Sequence, residues 1–150
     1  MDPTGSSIWA FRPDDGVLPS RENVRLARDG KAYLAWDGNR EQGRNVVQWR
    51  INDQLVRKEL PEDSTVFSAA VSSDWKWIAA SSQANTKAGR GIESVTVWSW
   101  DGTLRFHKRL RDGARTPVVF LDENLFAYRE VDQKWQAETR VVRLSKHGDK

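Results

Sequence analysis

The chain contains no cysteine. Disulfides, thiolate metal sites and thiol nucleophiles are excluded, while the absence is neutral between reducing and oxidising compartments. No apolar run approaches the roughly 18 residues needed to span a bilayer, so no membrane partner is expected. The opening stretch MDPTGSSIWA has neither a basic start nor an apolar segment, so no signal peptide is legible. A cytoplasmic location is the expectation, with an exported mature chain as the alternative. Histidine is scarce: His107 and His147 stand alone, neither at metal-ligand spacing from another histidine or a carboxylate pair, and both read as surface residues. Nucleophile-elbow, zinc-protease, P-loop and dinucleotide motifs are missing. Gly89-Arg90-Gly91 lacks the following helix that a phosphate cradle needs. No catalytic residue, cofactor or metal is therefore expected.

What is present begins with tryptophan. Eight Trp against two Tyr and one Met place large rings that must be accommodated somewhere, and they are the candidate core markers. With 38% hydrophobic residues in 150, the chain can form one domain with a real core. The net charge of +3, from 24 basic and 21 acidic residues, is too small an excess to imply nucleic acid.

The stretch Val71 to Leu110 holds one complete copy of a pattern found more weakly on either side. A polar turn, Ser72 to Lys76, leads into an apolar strand, Trp77 to Ala80. A polar loop follows, then a strand from Ser94 to Trp100, the turn Asp101-Gly102, and a strand from Thr103 to Leu110. Asp-Gly between strand-like runs is a strong hairpin signal, because Gly tolerates the positive φ of a tight turn. The preceding copy reads Asn23 to Ala27, Arg28 to Lys31 as the turn, Ala32 to Ala35, a loop, Val46 to Ile51, the turn Asn52-Asp53-Gln54, and Leu55 to Leu60. The following copy reads Val118 to Leu121, the turn Asp122-Glu123-Asn124, Leu125 to Tyr128, a loop, and Arg140 to Ser145. Before them all, Ile8 to Phe11 and Val17-Leu18 suggest the closing hairpin of another unit.

Two markers share a spacing. Asp29, Asp74 and Asp122 are 45 and 48 residues apart, and Trp9, Trp49, Trp98 and Leu144 are separated by 40, 49 and 46. Self-similarity near that period is the mark of a repeat architecture. Units of about four short strands fit its length. The expected units are 8–18, 23–60, 66–110 and 117–148 within one domain, 1–150, with Trp49 and Trp98 as equivalents. The recurring Asp residues read as turn acceptors for backbone N–H groups rather than as catalysts. Along the central strand Val95 and Val97 lie on one side and Trp98 and Trp100 on the other, as expected of a sheet buried on both faces. In the preceding copy Val47, Trp49 and Ile51 are expected on the Trp98 side, with Gln48 and Arg50 making the other side wetter.

The turn and strand segments Asp29-Gly30-Lys31 and Ser72 to Ala79, each followed by a Trp-bearing strand and a turn, resemble the β-propeller repeats of the WD-repeat and TolB-like groups. The resemblance covers Ile8 to Gly148. The sequence departs from the strict WD form: no Gly-His precedes the inner strand, Arg50 and Ser99 follow the tryptophans, and the one Trp-Asp pair, Trp36-Asp37, ends a different strand. The resemblance implies an all-β fold of four-stranded antiparallel propeller-type blades and a non-catalytic scaffold that binds a protein or peptide. About three blades cannot close a ring, so completion by homo-oligomerisation or by a longer chain is expected. The alternative fold is an antiparallel β-sandwich. The alternative functions are part of a propeller enzyme whose catalytic residues lie elsewhere, or weak nucleic-acid binding.

Trp36 to Asn45, Ser82 to Glu93 and Arg129 to Thr139 occupy one position in successive copies and are expected on one rim. Arg40, Arg44, Lys87, Arg90, Lys134 and Trp135 in these loops are the candidate partner-binding residues, since Arg and Trp dominate interface hot spots. Glu41, Glu93, Glu130, Asp132 and Glu138 dilute the charge and argue against a nucleic-acid face.

Overall fold

The computed structural model describes residues 24–37, 45–60, 64–84, 92–110, 118–131, 134 and 136–145. These residues form eleven strands: β1 (Val24–Leu26), β2 (Tyr33–Asp37), β3 (Val46–Ile51), β4 (Gln54–Glu59), β5 (Ser64–Val71), β6 (Trp77–Ala84), β7 (Ile92–Ser99), β8 (Leu104–Leu110), β9 (Val119–Asp122), β10 (Leu125–Val131) and β11 (Ala137–Arg143). All pairings are antiparallel between neighbours in the chain, giving a first sheet β1-β2-β3-β4, a second β5-β6-β7-β8 and a third β9-β10-β11. The fold is all-β, as the sequence predicts. The unit expected over 8–18 lies outside the described residues.

Strand boundaries follow the apolar runs closely, with one systematic difference. β6 extends through Ala84 and β7 begins at Ile92, so the connection expected over Ser82 to Glu93 is shorter. The ladder continues through Ser81↔Val95, Ser82↔Ser94 and Gln83↔Glu93. Polar side chains do not end a strand whose backbone groups are paired; the Ser81 hydroxyl is itself paired with that of Ser68 at 2.9 Å.

The turns explain the recurring aspartates. Lys31 N donates to Asp29 Oδ1 at 2.9 Å, Lys76 N to Asp74 Oδ1 at 3.2 Å and Asn124 N to Asp122 Oδ1 at 3.0 Å. Each carboxylate thus closes its own turn two residues on. The residue after Asp29 and Asp74 has positive φ in both cases, Gly30 at 72° and Trp75 at 59°. The turns that follow the third strands differ. Ile51 pairs directly with Gln54 across Asn52 and Asp53, both left-handed. Ser99 N instead donates to Thr103 O, so three residues, Trp100 to Gly102, make the later turn.

The sheets stack face to face in chain order. Leu34, Trp36, Val47, Trp49 and Ile51 of the first pack with Val66, Ala69, Ile78, Ala80 and Trp98 of the second. The opposite face of the second, with Trp77, Ala79, Val95 and Val97, packs with Phe126, Tyr128 and Leu144 of the third. The central sheet is buried on both faces, with Val95 and Val97 opposed to Trp98 and Trp100 as the alternation predicts.

Trp49 and Trp98 are both buried but are not equivalents. With the Asp turns aligned, the ladders place Leu34↔Trp49, Ala79↔Val97 and Ala127↔Val141 at one register position, and Trp98 answers to Arg50 and Val142. Val47, Trp49 and Ile51 therefore lie on the face that corresponds to Val95 and Val97. The two indoles meet across the interface, 5.7 Å apart and tilted by 39°. Leu144 corresponds to Trp100, since Trp100 N donates to Lys76 O and Leu144 N to Asn124 O. The difference arises from turn length: one additional residue in the later turn shifts the spacing by one, and a slip of one residue exchanges faces.

The wetter side of β3 is closed rather than open. Tyr33 is 1% exposed, and Gln48 and Arg50 are buried with it. Gln48 Nε2 donates to Tyr33 Oη at 2.7 Å, Arg57 to Gln48 Oε1 at 3.0 Å, and Arg50 to the Asp53 carbonyl at 3.0 Å. Hydrogen bonding of this kind lets polar groups be buried without a large desolvation penalty.

Candidate interaction surface

Of the candidate partner-binding residues, Arg40, Arg44, Lys87, Arg90 and Trp135 lie outside the described residues, and Lys134 is exposed in the connection between β10 and β11. The connections that carry them join β2 to β3, β6 to β7 and β10 to β11, at the ends opposite the Asp turns. The turn ends of successive sheets are tied together. Trp49 Nε1 donates to Trp100 O at 2.6 Å, and Trp77 Nε1 to Asn124 Oδ1 at 3.2 Å.

A second surface emerges from the faces. Each sheet has a forward face, turned toward the next sheet in the chain, and a backward face turned toward the previous one. The forward faces of the first and second sheets carry Trp49 and Val97, both 0% exposed. By register the forward face of the third carries Val119, Ala127 and Val141 in one row across its three strands. Val119 is 49% and Val141 55% exposed, and Leu121, beside the bulge between β9 and β10, is 56% exposed. Arg143 lies exposed at the end of the same face, without an ion pair among the described residues.

The backward face of the third sheet is fastened to the second by rings and charges. Phe106 meets Phe126 edge-on at 5.1 Å, a favoured geometry for aromatic pairs. Nearer the edge, Glu130 accepts from Lys108 at 3.1 Å and from Arg140 at 2.9 Å, and Arg140 also pairs with Glu138 at 2.8 Å. Burial pushes the Glu130 carboxyl up, but the hydrogen bonds from Lys108 and Arg140 outweigh it and hold the group below the usual glutamate range. In the turn after β7, the Ser99 hydroxyl and the Thr103 amide lower the Asp101 carboxyl.

Among the described residues no group of three or more histidines and carboxylates can hold a metal, and no helix is long and apolar enough to cross a membrane. His107 Nδ1 lies 3.0 Å from Thr96 Oγ1 and is engaged in the ladder region between β7 and β8. No family model and no curated protein matches this chain. Among the described residues the surface of the third sheet combines exposed apolar side chains, the outer edge of β11 without a paired strand and the exposed cation Arg143.

The blade count implies an exposed end face, but nothing in the sequence singled out Val119, Leu121 and Val141 as its residues. Val119, Leu121 and Val141 have the composition of buried strand residues. The available signal was β11 itself, where Val141 and Val142 follow one another, so that whichever face was buried, one valine would remain on the other.

Proposed function

We propose that the three sheets are successive blades of a propeller-type stack that acts as a non-catalytic scaffold for a protein or peptide partner. The observation that carries this reading is the directed stacking. A forward face meets a backward face twice, and the third forward face, of the same register and apolar character, is uncovered among the described residues. Exposed apolar patches of several hundred Å² are rare on soluble monomers and mark interaction sites. The connections with Arg40, Arg44, Lys87, Arg90, Lys134 and Trp135 are the proposed recognition residues, because they join corresponding strands in the three sheets.

Sedimentation across a concentration series, with an apolar dye as a second readout, tests the proposal. The parent chain is expected to associate and bind dye, and Val119→Glu with Val141→Glu to remain monomeric, bind little dye and melt within a few degrees of the parent. A parent that stays monomeric at high concentration without binding dye would overturn the stacked-blade reading and favour a closed sandwich.

A further inference from the structure

In the first and second sheets the third strand is followed by a fourth, and the fourth strand brings one apolar residue onto the forward face. Val56 stands beside Trp49, and Phe106 beside Val97. Both side chains pack against the cores between the sheets. β11 occupies the third-strand position of its own sheet, and among the described residues nothing pairs with its outer edge. Its burial is inverted relative to its counterparts: β3 is buried along almost its whole length, while β11 is exposed at every position but Val142. An unpaired row of N–H and C=O groups is a template for another strand.

We propose that the β11 edge takes an extended peptide segment as a fourth, antiparallel strand, and that the segment carries a carboxylate followed two residues later by an apolar side chain. This occupancy rests on the reading of the three sheets as one repeated unit. Register then fixes the occupant. Ile51↔Gln54, Trp49↔Val56 and Val47↔Lys58 show how a fourth strand runs against a third. Transferred to β11, the first position stands opposite Arg143, the second opposite Val141 and the third opposite Thr139. Arg143 is an exposed cation on the forward face and favours an Asp or Glu; Val141 favours a branched apolar residue at the site of Val56 and Phe106; Thr139 favours Ser or Thr. The acidic position distinguishes this occupant from the first and second sheets, whose own residues there are Gln54 and Thr103. Main-chain hydrogen bonds supply affinity in such strand addition, and alternate side chains supply selection.

The test uses the full chain and a capped peptide, acetyl-Ser-Glu-Thr-Val-Thr-Thr-Ser-amide, with a control in which Glu and Val are exchanged. The first peptide is expected to bind saturably and to slow hydrogen exchange of the β11 amides that face away from β10. Arg143→Glu and Val141→Lys, both surface changes, should each weaken it about tenfold, and the control peptide should bind about tenfold less tightly than the first. β11 amides that already exchange slowly in the free chain, or equal binding of both peptides by the parent and the two variants, would overturn the proposal. So would a dimer paired through β11 that the peptide does not dissociate. Failure of the stacked-blade reading shows separately, in a parent chain that stays monomeric at high concentration and binds no dye, whether or not the peptide binds.

Discussion

Trp49, Val97 and Val141 occupy one register position in three successive sheets, yet the first two are sealed and the third is more than half exposed. The strands that carry them have similar composition and the same antiparallel neighbours on one side. What differs, among the described residues, is whether another sheet lies against the face and whether a fourth strand pairs with the outer edge. Burial at this position is therefore a property of the stack, and stability should follow it. Trp49→Ala should cost about 3 to 5 kcal/mol, as for a large aromatic removed from a core, and additionally strands the Trp100 carbonyl that its indole N–H satisfies. Val141→Ala should change stability by no more than about 0.5 kcal/mol. Urea denaturation of both variants checks the comparison; equal losses would break it.

The next effect concerns the seam between the first and second sheets. Gly102 has φ of +93°, and a Cβ there would lie 3.0 Å from Val56 Cγ1 on β4. The backbone conformation strains any side chain there, and the contact forces Val56 to give way. Gly102→Ala should cost about 1 to 3 kcal/mol. Combining it with Val56→Ala separates the two causes, since only the contact with β4 is relieved. A double variant no more stable than the sum of the single losses would assign the whole effect to backbone strain.

The seam between the second and third sheets should show a smaller, pH-dependent effect. Glu130 is held below the 4.5 of an unperturbed glutamate, so its ionised form is favoured in the folded state. Stability from this group is present above the unfolded value and is lost as pH falls through the lowered folded value. Melting temperature should fall on acidification from about pH 6 to about pH 3, and Glu130→Gln should lower it at neutral pH while flattening that acid limb. An acid limb unchanged by the substitution would show that the pairing with Lys108 and Arg140 contributes nothing to the second seam.

Much of the local structure was legible because its causes are local. Asp29, Asp74 and Asp122 each bond an amide two residues away, and Asp101-Gly102 marks a hairpin through the backbone freedom of one glycine. Apolar runs such as Val46 to Ile51 coincide with a strand because period-two side chains and ladder hydrogen bonds act over the same few residues. The candidate rim residues were legible only as a position in the repeat, and all but Lys134 lie outside the described residues. An uncovered end face followed from the blade count, but the residues that line it were not legible, since an exposed Val141 and a buried Val97 are the same side chain.

The sequence by itself determined an all-β chain, the order of its strands, the turns between them and a repeated register anchored on three aspartates. Tertiary structure decided which faces are sealed. One extra residue in the turn from Trp100 to Gly102 exchanges the sides on which two tryptophans lie, so that Trp49 and Trp98 become partners across an interface. The facing sides of successive sheets are sealed because sheets from distant sequence lie on each other, and that packing leaves no periodicity in the strands it covers.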